Sequence, residues 1–320
     1  MKDIAFIIPY FGKFNNYFQL FLNSCARNDN CDWIIFTDDY TNYRYPKNVK
    51  VNYMNFEELQ KIFQEKFDFN ISLDYPYKLC DYKVAYGYIF ADYIKEYKAW
   101  GHCDTDIIWG NISNFISNQD INDFEKIGIL GHCTIYKNTE EINKMFMNSL
   151  NSIKRYKQVF SNNSNCSFDE EFTNSINNIF EEYNLKIRKK EYEANIFTKS
   201  SNFRITKMNL DLKKYVVEEK KKAFFVWNNG QLYRYVKNKN RILKEEYMYI
   251  HLQSRKMKIK LNDFNINTYK IIPNCFDYLE KEKITIKNFE KIKRKYFNLH
   301  YFKLRTNNLI KKIRRRLHRL

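Results

Sequence analysis

Trp100-Gly101-His102-Cys103-Asp104-Thr105-Asp106-Ile107-Ile108-Trp109-Gly110 places two carboxylates in the middle of an apolar and aromatic run. Because residues i and i+2 of an extended backbone point to the same side, Asp104 and Asp106 are expected to face each other at the end of a buried strand. Two carboxylates so close repel, and one pKa should rise unless a cation lies between them. Mg²⁺ or Mn²⁺ would remove the conflict, since such an ion takes one or two carboxylates and fills its other positions with substrate phosphates and water. The stretch therefore predicts a metal site that holds a nucleotide diphosphate.

The acid pair also has a simpler interpretation, in which two acids at a strand end cap the next turn. With 17 Asp in 320 residues, about one Asp-x-Asp is expected by chance. The surroundings favour the metal interpretation, because Gly101 and Gly110 bracket the pair and Ile107-Ile108-Trp109 follows as a short strand.

Composition indicates a globular chain with an unevenly spread positive charge. Hydrophobic residues make up 44% of the sequence, and the scarcity of Pro and Gly argues against long flexible linkers. The formal net charge is +18, yet residues 287–320 alone carry thirteen Lys and Arg against Glu290. The remainder is only mildly basic, so the charge belongs mainly to the C-terminal segment.

Several classes of protein lose their support. Seven Cys, with no C-x-x-C pair, favour reduced thiols in a cytoplasmic protein over a zinc site or a disulfide framework. The first residues lead directly into a strand instead of a secretory signal, and no run of 18 apolar residues could cross a membrane. The glycine-rich dinucleotide and P-loop motifs, H-E-x-x-H and G-x-S-x-G are all missing from the sequence.

Hydrophobic patterns along the chain predict an open α/β sheet that begins β-α-β-β-α. Strands are predicted at 3–9, 32–39, 50–53, 127–136, 223–227, 231–236 and 246–252, and helical segments at 14–27, 56–66, 76–97, 139–150 and 168–183. Asn55 and Glu58 have the spacing of a capping box, and Asn228-Asn229-Gly230 that of a hairpin turn. Beyond Arg255 the pattern is mainly helical and basic, so we expect a catalytic domain at 1–256 and a helical extension at 257–320.

Ligands of open α/β sheets bind outside the carboxyl ends of the strands, where this chain carries several polar groups. Pro9, Tyr10 and Lys13 follow the first strand and offer backbone N–H groups and a cation. Asp38, with its neighbour Asp39, offers acceptors for a ribose or a base, or else forms a turn. Lys83, one helix before the acid pair, could approach a phosphate or belong to a solvated helix face.

His251 ends a late strand and could complete the two-Asp metal site, although a single strand His is more often a core residue. Arg255 or Lys256, shortly after it, could neutralise a diphosphate. His132 could line the same cleft or be buried.

Asp169, Glu170 and Glu171 are expected at a helix N-terminus, which would by itself stabilise their charge. The alternative makes Asp169 or Glu170 a carboxylate on the acceptor side of an active site, acting as a general base or as a hydroxyl clamp.

The last residues form a basic amphipathic pattern with one apolar stripe: Leu309, Ile313, Leu317 and Leu320. This pattern is typical of a helix on an anionic membrane surface. Nucleic-acid contact and a frayed tail are the alternatives.

Tyr77–Lys83 and Trp100–Gly110 resemble a family of bacterial glycosyltransferase-like proteins, typically encoded with capsule and lipopolysaccharide polymer enzymes. Further matching stretches are Ile7–Gly12, Gly131–Asn138, Phe168–Glu170 and Tyr249–Gln253. The resemblance covers roughly residues 1–260, although Val84 stands where the family usually has Pro. It implies a GT-A fold, a nucleotide-sugar donor and Mn²⁺ or Mg²⁺ as cofactor, with Asp104 and Asp106 as metal-binding acids and His251 as a third ligand. Asp104 and Lys83 would then also contact the donor.

We therefore expect a metal-dependent glycosyltransferase that acts on a hydroxyl of a bacterial surface polysaccharide precursor, with a lipid-linked or oligosaccharide acceptor. It would be cytoplasmic and peripheral on the inner membrane face through its tail, with no nucleic-acid partner. One alternative is a basic membrane- or nucleic-acid-binding module with a structural Asp pair. Another is a sugar nucleotidyltransferase, which would usually need a glycine-rich phosphate loop where only Gly12 is present.

Overall fold

A computed structural model describes residues 2–170, 173–199, 202–211, 214–281 and 283–294, together with Phe302, Thr306, Leu309 and Ile310. The strands, in chain order, are β1 (Ile4–Pro9), β2 (Cys31–Thr37), β3 (Val49–Tyr53), β4 (Ala99–Cys103), β5 (Ile107–Trp109), β6 (Lys126–Leu130), β7 (Cys133–Lys137), β8 (Ile187–Arg188), β9 (Glu193–Asn195), β10 (Thr206–Asn209), β11 (Lys214–Val217), β12 (Lys222–Asn228), β13 (Gln231–Asn238), β14 (Arg241–Tyr247), β15 (Tyr249–His251), β16 (Lys258–Ile259), β17 (Thr268–Ile272) and β18 (Cys275–Tyr278). The α-helices are α1 (Phe18–Cys25), α2 (Phe56–Gln64), α3 (Leu79–Tyr82), α4 (Tyr86–Ile89), α5 (Asn118–Asp123), α6 (Glu140–Asn143), α7 (Arg155–Phe160), α8 (Ile176–Glu182) and α9 (Ile286–Ile292).

A central sheet has the strand order β3-β2-β1-β4-β7-β6-β8. The first four of these strands are parallel, whereas β7 runs antiparallel to β4. The chain turns from β1 to β2 on one side and later returns to place β4 on the other side of β1. This reversal is a topological switch point, where open α/β sheets leave a crevice beyond the carboxyl ends of their strands. The predicted α/β class is confirmed.

Both faces of the central sheet are covered, which explains the continuous apolar runs of its inner strands. Phe6 and Ile8 of β1 pack on one side with α1, whereas Ala5 and Ile7 pack on the other side with α2, α4 and α8. The predicted capping box of α2 is present, since the Asn55 side chain accepts from Glu58 N and Glu58 caps Asn55 N in return.

A second sheet has the order β14-β13-β12-β17-β18-β16. Its β12–β13 hairpin turns at Asn229 and Gly230, whose φ angles of 47° and 87° are those of a type I′ turn. The prediction of a mainly helical extension from residue 257 is wrong for 258–278, because these residues form β16, β17 and β18. β17 pairs with β12, a segment some 45 residues earlier in the sequence. The residues around β17 therefore do not by themselves indicate a strand. Helix α9 then packs Phe289 and Ile292 against the second sheet.

Three predicted elements differ in ways that shape the site. The single strand expected at 127–136 is the β6–β7 hairpin, which turns at Gly131-His132. The helix expected from 168 begins only at Ile176, since Ser167 and Asn174 adopt positive φ angles. The long helix expected at 76–97 is broken into α3, α4 and 3-10 turns.

A small bridging sheet, β5-β15-β9, joins distant parts of the chain. In its register His251 of β15 lies opposite Ile107 on one side and Asn195 on the other. Leu252 N also donates to Asp106 O at 3.0 Å. The bridging sheet therefore brings the end of β15 to the turn that follows β4.

The predicted amphipathic tail cannot be followed in this structure. Of its apolar stripe, Ile313, Leu317 and Leu320 lie outside the described residues, and Leu309 is exposed. Within the part of the chain that is described, no helix has the length and apolar character needed to cross a bilayer.

Candidate metal centre and substrate cavity

A cavity of about 1280 Å³ opens at the carboxyl ends of β1 and β4, where the strand order reverses. Pro9 and Tyr10 line it from β1, and Asp104 and Asp106 line it from the turn between β4 and β5. Ligand pockets are commonly about 300–1,000 Å³, so this cavity has room for a nucleotide sugar.

Asp104, Asp106 and His251 lie together in this cavity and form the candidate metal centre. One ligand atom from each side chain can be chosen so that all three lie within 4.8 Å of one another. The Nε2 atom of His251 is 3.2 Å from Asp106 Oδ1 and 3.6 Å from Asp104 Oδ2. The structure thus brings together the three residues that the sequence suggested as metal ligands.

The hydrogen bonds around this centre fit a divalent cation. Asp106 Oδ1 is buried and faces the Nε2 atom of His251, whereas Asp106 Oδ2 accepts from the backbone N–H of Ser254. Asn195 Oδ1 lies 3.1 Å from His251 Nδ1 and also accepts from Gln253 Nε2. In a neutral His251, an acceptor at Nδ1 places the ring proton there and leaves the Nε2 lone pair for a metal ion, as in metal-ligating histidines. Two carboxylates and one imidazole leave positions for substrate oxygens, as Mn²⁺ or Mg²⁺ requires.

Electrostatics holds the centre in a charged state. Burial alone would raise the pKa of Asp106, but the charge and proximity of His251 and the Ser254 N–H lower it to about 2. Burial acts in the opposite direction on His251, yet Asp106 and Asp104 raise its pKa above the ordinary value. A cation at the same place would replace the proton on His251, because a ligating imidazole must be neutral.

Lys83 lies beside the metal centre instead of facing open solvent. Its Nζ donates to Asp104 Oδ1 at 2.7 Å and to Gly131 O at 2.8 Å, and lies 3.7 Å from Asp169 Oδ2. Burial would lower the pKa of Lys83, but Asp104 and Asp169 help to raise it well above its usual value. The lysine therefore fixes Asp104 and links the metal centre to the acid at 169.

Asp169 and Glu170 lie in a turn that packs against the Gly131 peptide, and they do not begin a helix as predicted. A Cβ atom on Gly131 would lie 2.2 Å from Asp169 Oδ2, so this close approach requires glycine. Gly131 N donates to Glu170 Oε2 at 3.0 Å. Burial raises the pKa of Asp169 to about 7, against the lowering effect of Lys83. Glu171 lies outside the described residues.

A fully buried ion pair, Lys78 with Asp81, positions this turn. The Asp81 carboxylate accepts from Cys166 N and Phe168 N, at 2.9 and 3.0 Å for the shorter contacts. Lys78 Nζ donates to Val159 O and Ser164 O. Both members of the ion pair therefore hydrogen-bond to the backbone of the segment that precedes Asp169.

The residues predicted to bind the nucleotide fall into two groups. Pro9, Tyr10, Lys13 and Lys256 line the cavity, as does Arg255. Asp38 is not among the described residues that line it, because its carboxylate accepts from Gly12 N at 2.7 Å and shapes the loop after β1. Lys13 is paired with Asp39 at 2.6 Å.

Asn195, Gln253 and Ser254 support the candidate metal centre and were missed by sequence reasoning. Gln253 and Ser254 directly follow His251, and their positive φ angles of 56° and 52° turn the backbone so that Ser254 N reaches Asp106. Their position next to His251 in the sequence was the signal that could have identified them. Asn195 is 56 residues away from His251 in sequence, and only the pairing of β9 with β15 reveals it.

Comparisons with known proteins give similar solved structures and one family match. No curated protein matches the sequence. One similar solved structure is the crystal structure of galactosyltransferase LgtC in complex with donor and acceptor sugar analogs. It shares 11% identity and a TM-score of 0.33, over 61% of this chain and 75% of that chain.

A family model described as a family of unknown function, DUF6625, matches residues 6–280. The match begins in β1, contains the whole candidate metal centre and extends through β18, so it passes the boundary predicted at residue 256. Since it covers most of the sequence, the chain belongs to the DUF6625 family.

Proposed function

We propose that this protein is a metal-dependent glycosyltransferase of the GT-A class, which moves a sugar from a nucleotide diphosphate sugar to a hydroxyl. The observation that carries the proposal is the group formed by Asp104, Asp106 and His251 at the switch point of the central sheet, whose ligand atoms lie within 4.8 Å of one another. Two carboxylates this close repel each other. A bound cation would compensate both charges.

On the donor side, Asp104, Asp106 and His251 would hold Mn²⁺ or Mg²⁺. The ion would supply positive charge that stabilises the departing nucleoside diphosphate. Lys83 orients the Asp104 carboxylate through its hydrogen bond, and Asn195 orients the His251 ring. Lys13 and Lys256, which also line the cavity, would face the phosphates and the nucleoside.

On the acceptor side, Asp169 is the general base in this proposal. A bond forms between the acceptor oxygen and the anomeric carbon, while the bond from that carbon to the phosphate oxygen breaks and its electron pair leaves with the diphosphate. The hydroxyl proton passes to Asp169, whose pKa of about 7 suits a base near neutral pH. Glu170, bonded to Gly131 N, would clamp the acceptor. A single displacement of this kind inverts the anomeric configuration.

We also propose a lipid-linked or oligosaccharide precursor of a bacterial surface polysaccharide as the acceptor. The family resemblance at residues 77–83 and 100–110 supports this substrate, and the basic C-terminal segment supports a location on the cytoplasmic membrane face. Residues 295–320 carry nine Lys and Arg and no acid, which would attract anionic lipids.

Replacing one metal ligand tests the donor side. In Asp106→Asn we expect Mn²⁺-dependent binding of a nucleotide sugar to fall by at least about 100-fold, because even residues behind the ligands contribute about 10- to 100-fold. Calorimetry with a panel of nucleotide sugars, with and without Mn²⁺, measures this. Asp92→Asn, at an exposed ion pair with Lys95, is the matched control. Unchanged affinity in a folded Asp106→Asn protein would contradict the metal assignment.

Replacing the proposed base tests the acceptor side. Asp169→Asn should lower kcat by about 100-fold or more while donor affinity stays unchanged, because the acid acts on the incoming hydroxyl. The rate of the unmodified protein should rise with pH through an apparent pKa near 7, whereas that of the variant should not. Loss of donor binding in Asp169→Asn would place this acid on the donor side.

Thermal melting provides the control for this variant. The pKa of Asp169 is about 7 in the folded protein and about 3.9 in an unfolded chain, so folding binds the proton more tightly. Asp169 therefore lowers stability progressively as pH rises from about 4 to about 7. Asp169→Asn should be folded and should gain stability relative to the parent across that range. A variant that melts below the parent at pH 8 would show that the carboxylate has a structural role instead.

Deleting residues 295–320 tests the membrane proposal and keeps helix α9, whose Phe289 and Ile292 are buried. We expect the shortened protein not to bind phosphatidylglycerol vesicles even at low salt. The full chain should dissociate from them only at high salt, because salt screens the attraction between its basic residues and the lipid charges. Co-sedimentation measures both, with phosphatidylcholine vesicles as the control. Retained donor hydrolysis would show that the deletion spares the site, and a full chain that ignores anionic vesicles at low salt would defeat the proposal.

A further inference from the structure

Two buried histidines line the cavity beside the candidate metal centre without being part of it. His102 lies on β4, two residues before Asp104, and His132 lies in the turn between β6 and β7. Their exposed fractions are only 1% and 4%. Neither belongs to the group of ligand atoms formed by Asp104, Asp106 and His251.

His132 is held by one ring nitrogen and leaves the other unused. Its Nδ1 lies 2.9 Å from the Tyr249 hydroxyl, and its ring centroid is 4.4 Å from that of His251. Its Nε2 has no hydrogen-bond partner among the residues that the structure describes. If Tyr249 donates to Nδ1, then Nε2 carries the proton and is a donor.

His102 also has a ring nitrogen that is not used. One of its nitrogens is hydrogen-bonded to the backbone of Gly131, and the other has no partner within the described part of the chain. The ring lies 6.1 Å from that of Tyr136, on the same side of the central sheet.

An imidazole nitrogen can donate or accept a hydrogen bond, and a sugar hydroxyl does both. A sugar can therefore satisfy these nitrogens whichever of them carries the proton. Unpaired buried polar groups cost free energy, and a native structure needs a reason for them.

We propose that His102 and His132 form the subsite that hydrogen-bonds the hydroxyl groups of the transferred sugar. The inference rests on the proposed function, because a sugar linked to a diphosphate at the metal centre would lie next to these rings. It adds a determinant of donor choice, since a site built to hydrogen-bond a hydroxyl rejects an analogue that lacks it. The nucleoside and diphosphate would not touch either ring.

The test measures the contribution of the sugar to donor binding separately from that of the nucleoside diphosphate. Calorimetry in the presence of Mn²⁺ compares UDP, GDP, UDP-glucose, UDP-galactose and GDP-mannose, and then the deoxy analogues of the sugar nucleotide that binds best. His132→Asn keeps an amide near the Tyr249 hydroxyl but removes the nitrogen at the Nε2 position, whereas His132→Gln places an amide there. His102→Phe removes both ring nitrogens. Tyr136→Phe is the packing control, since the buried Tyr136 hydroxyl has no partner among the described residues.

We expect His132→Asn and His102→Phe to weaken binding of the sugar nucleotide by about tenfold and to leave binding of its nucleoside diphosphate within about twofold. His132→Gln should lose less than His132→Asn, and Tyr136→Phe should match the parent. One deoxy analogue should bind the parent poorly, yet bind a histidine variant as well as the full sugar does.

The remaining outcomes overturn the inference in distinguishable ways. If the parent binds a sugar nucleotide but the variants keep its full preference over the nucleoside diphosphate, the rings only pack and the proposed function stands. An equal loss for both ligands assigns the histidines to the diphosphate or to the fold. If the parent binds none of the nucleotides with Mn²⁺, the proposed function fails and this inference fails with it. His132→Asn decides the question if His102→Phe does not fold.

Discussion

Two carboxylates at the buried end of β4 form the constraint on which the rest of the site depends. Asp104 and Asp106 repel each other, and burial would raise the pKa of Asp106 unless positive charge were close. Lys83 lies 2.7 Å from Asp104 and His251 lies 3.2 Å from Asp106. These two side chains come from opposite halves of the chain. The bridging sheet must therefore form before both positive charges lie beside the negative charges of Asp104 and Asp106.

The same positive charge of Lys83 connects the proposed donor and acceptor sides of the cavity. Lys83 reaches both Asp104 and the acid at 169, and the buried Lys78–Asp81 pair, one helical turn earlier, holds the backbone that precedes Asp169. One short segment, residues 76–86, therefore sets the distance between the metal centre and the proposed base. A donor and an acceptor bound on its two sides would meet in a fixed geometry, which is what transfer between them requires.

Local patterns predicted the parts of the structure that depend on nearby residues. Three such parts are the apolar run of β1, the capping box of α2 and the Asp-x-Asp turn. Each of them is defined by residues that lie within a few positions of one another in the sequence. The strands at 258–278 were missed because β17 is defined by its partner β12, and the lysines among these residues resemble a solvated helix. The late start of α8 follows from backbone turns at Ser167 and Asn174 that residue type alone does not reveal. Asn195, which orients His251, is near it only after β9 and β15 have paired.

The central claim is that Asp104, Asp106 and His251 bind one divalent cation. Pulsed electron paramagnetic resonance of the full chain loaded with Mn²⁺ tests it directly, because a directly bound imidazole gives a characteristic ¹⁴N coupling. We expect one tightly bound Mn²⁺ with the coupling of a single histidine nitrogen, which disappears in His251→Gln. Mn²⁺ that binds without a nitrogen ligand, or that does not bind specifically, would contradict it.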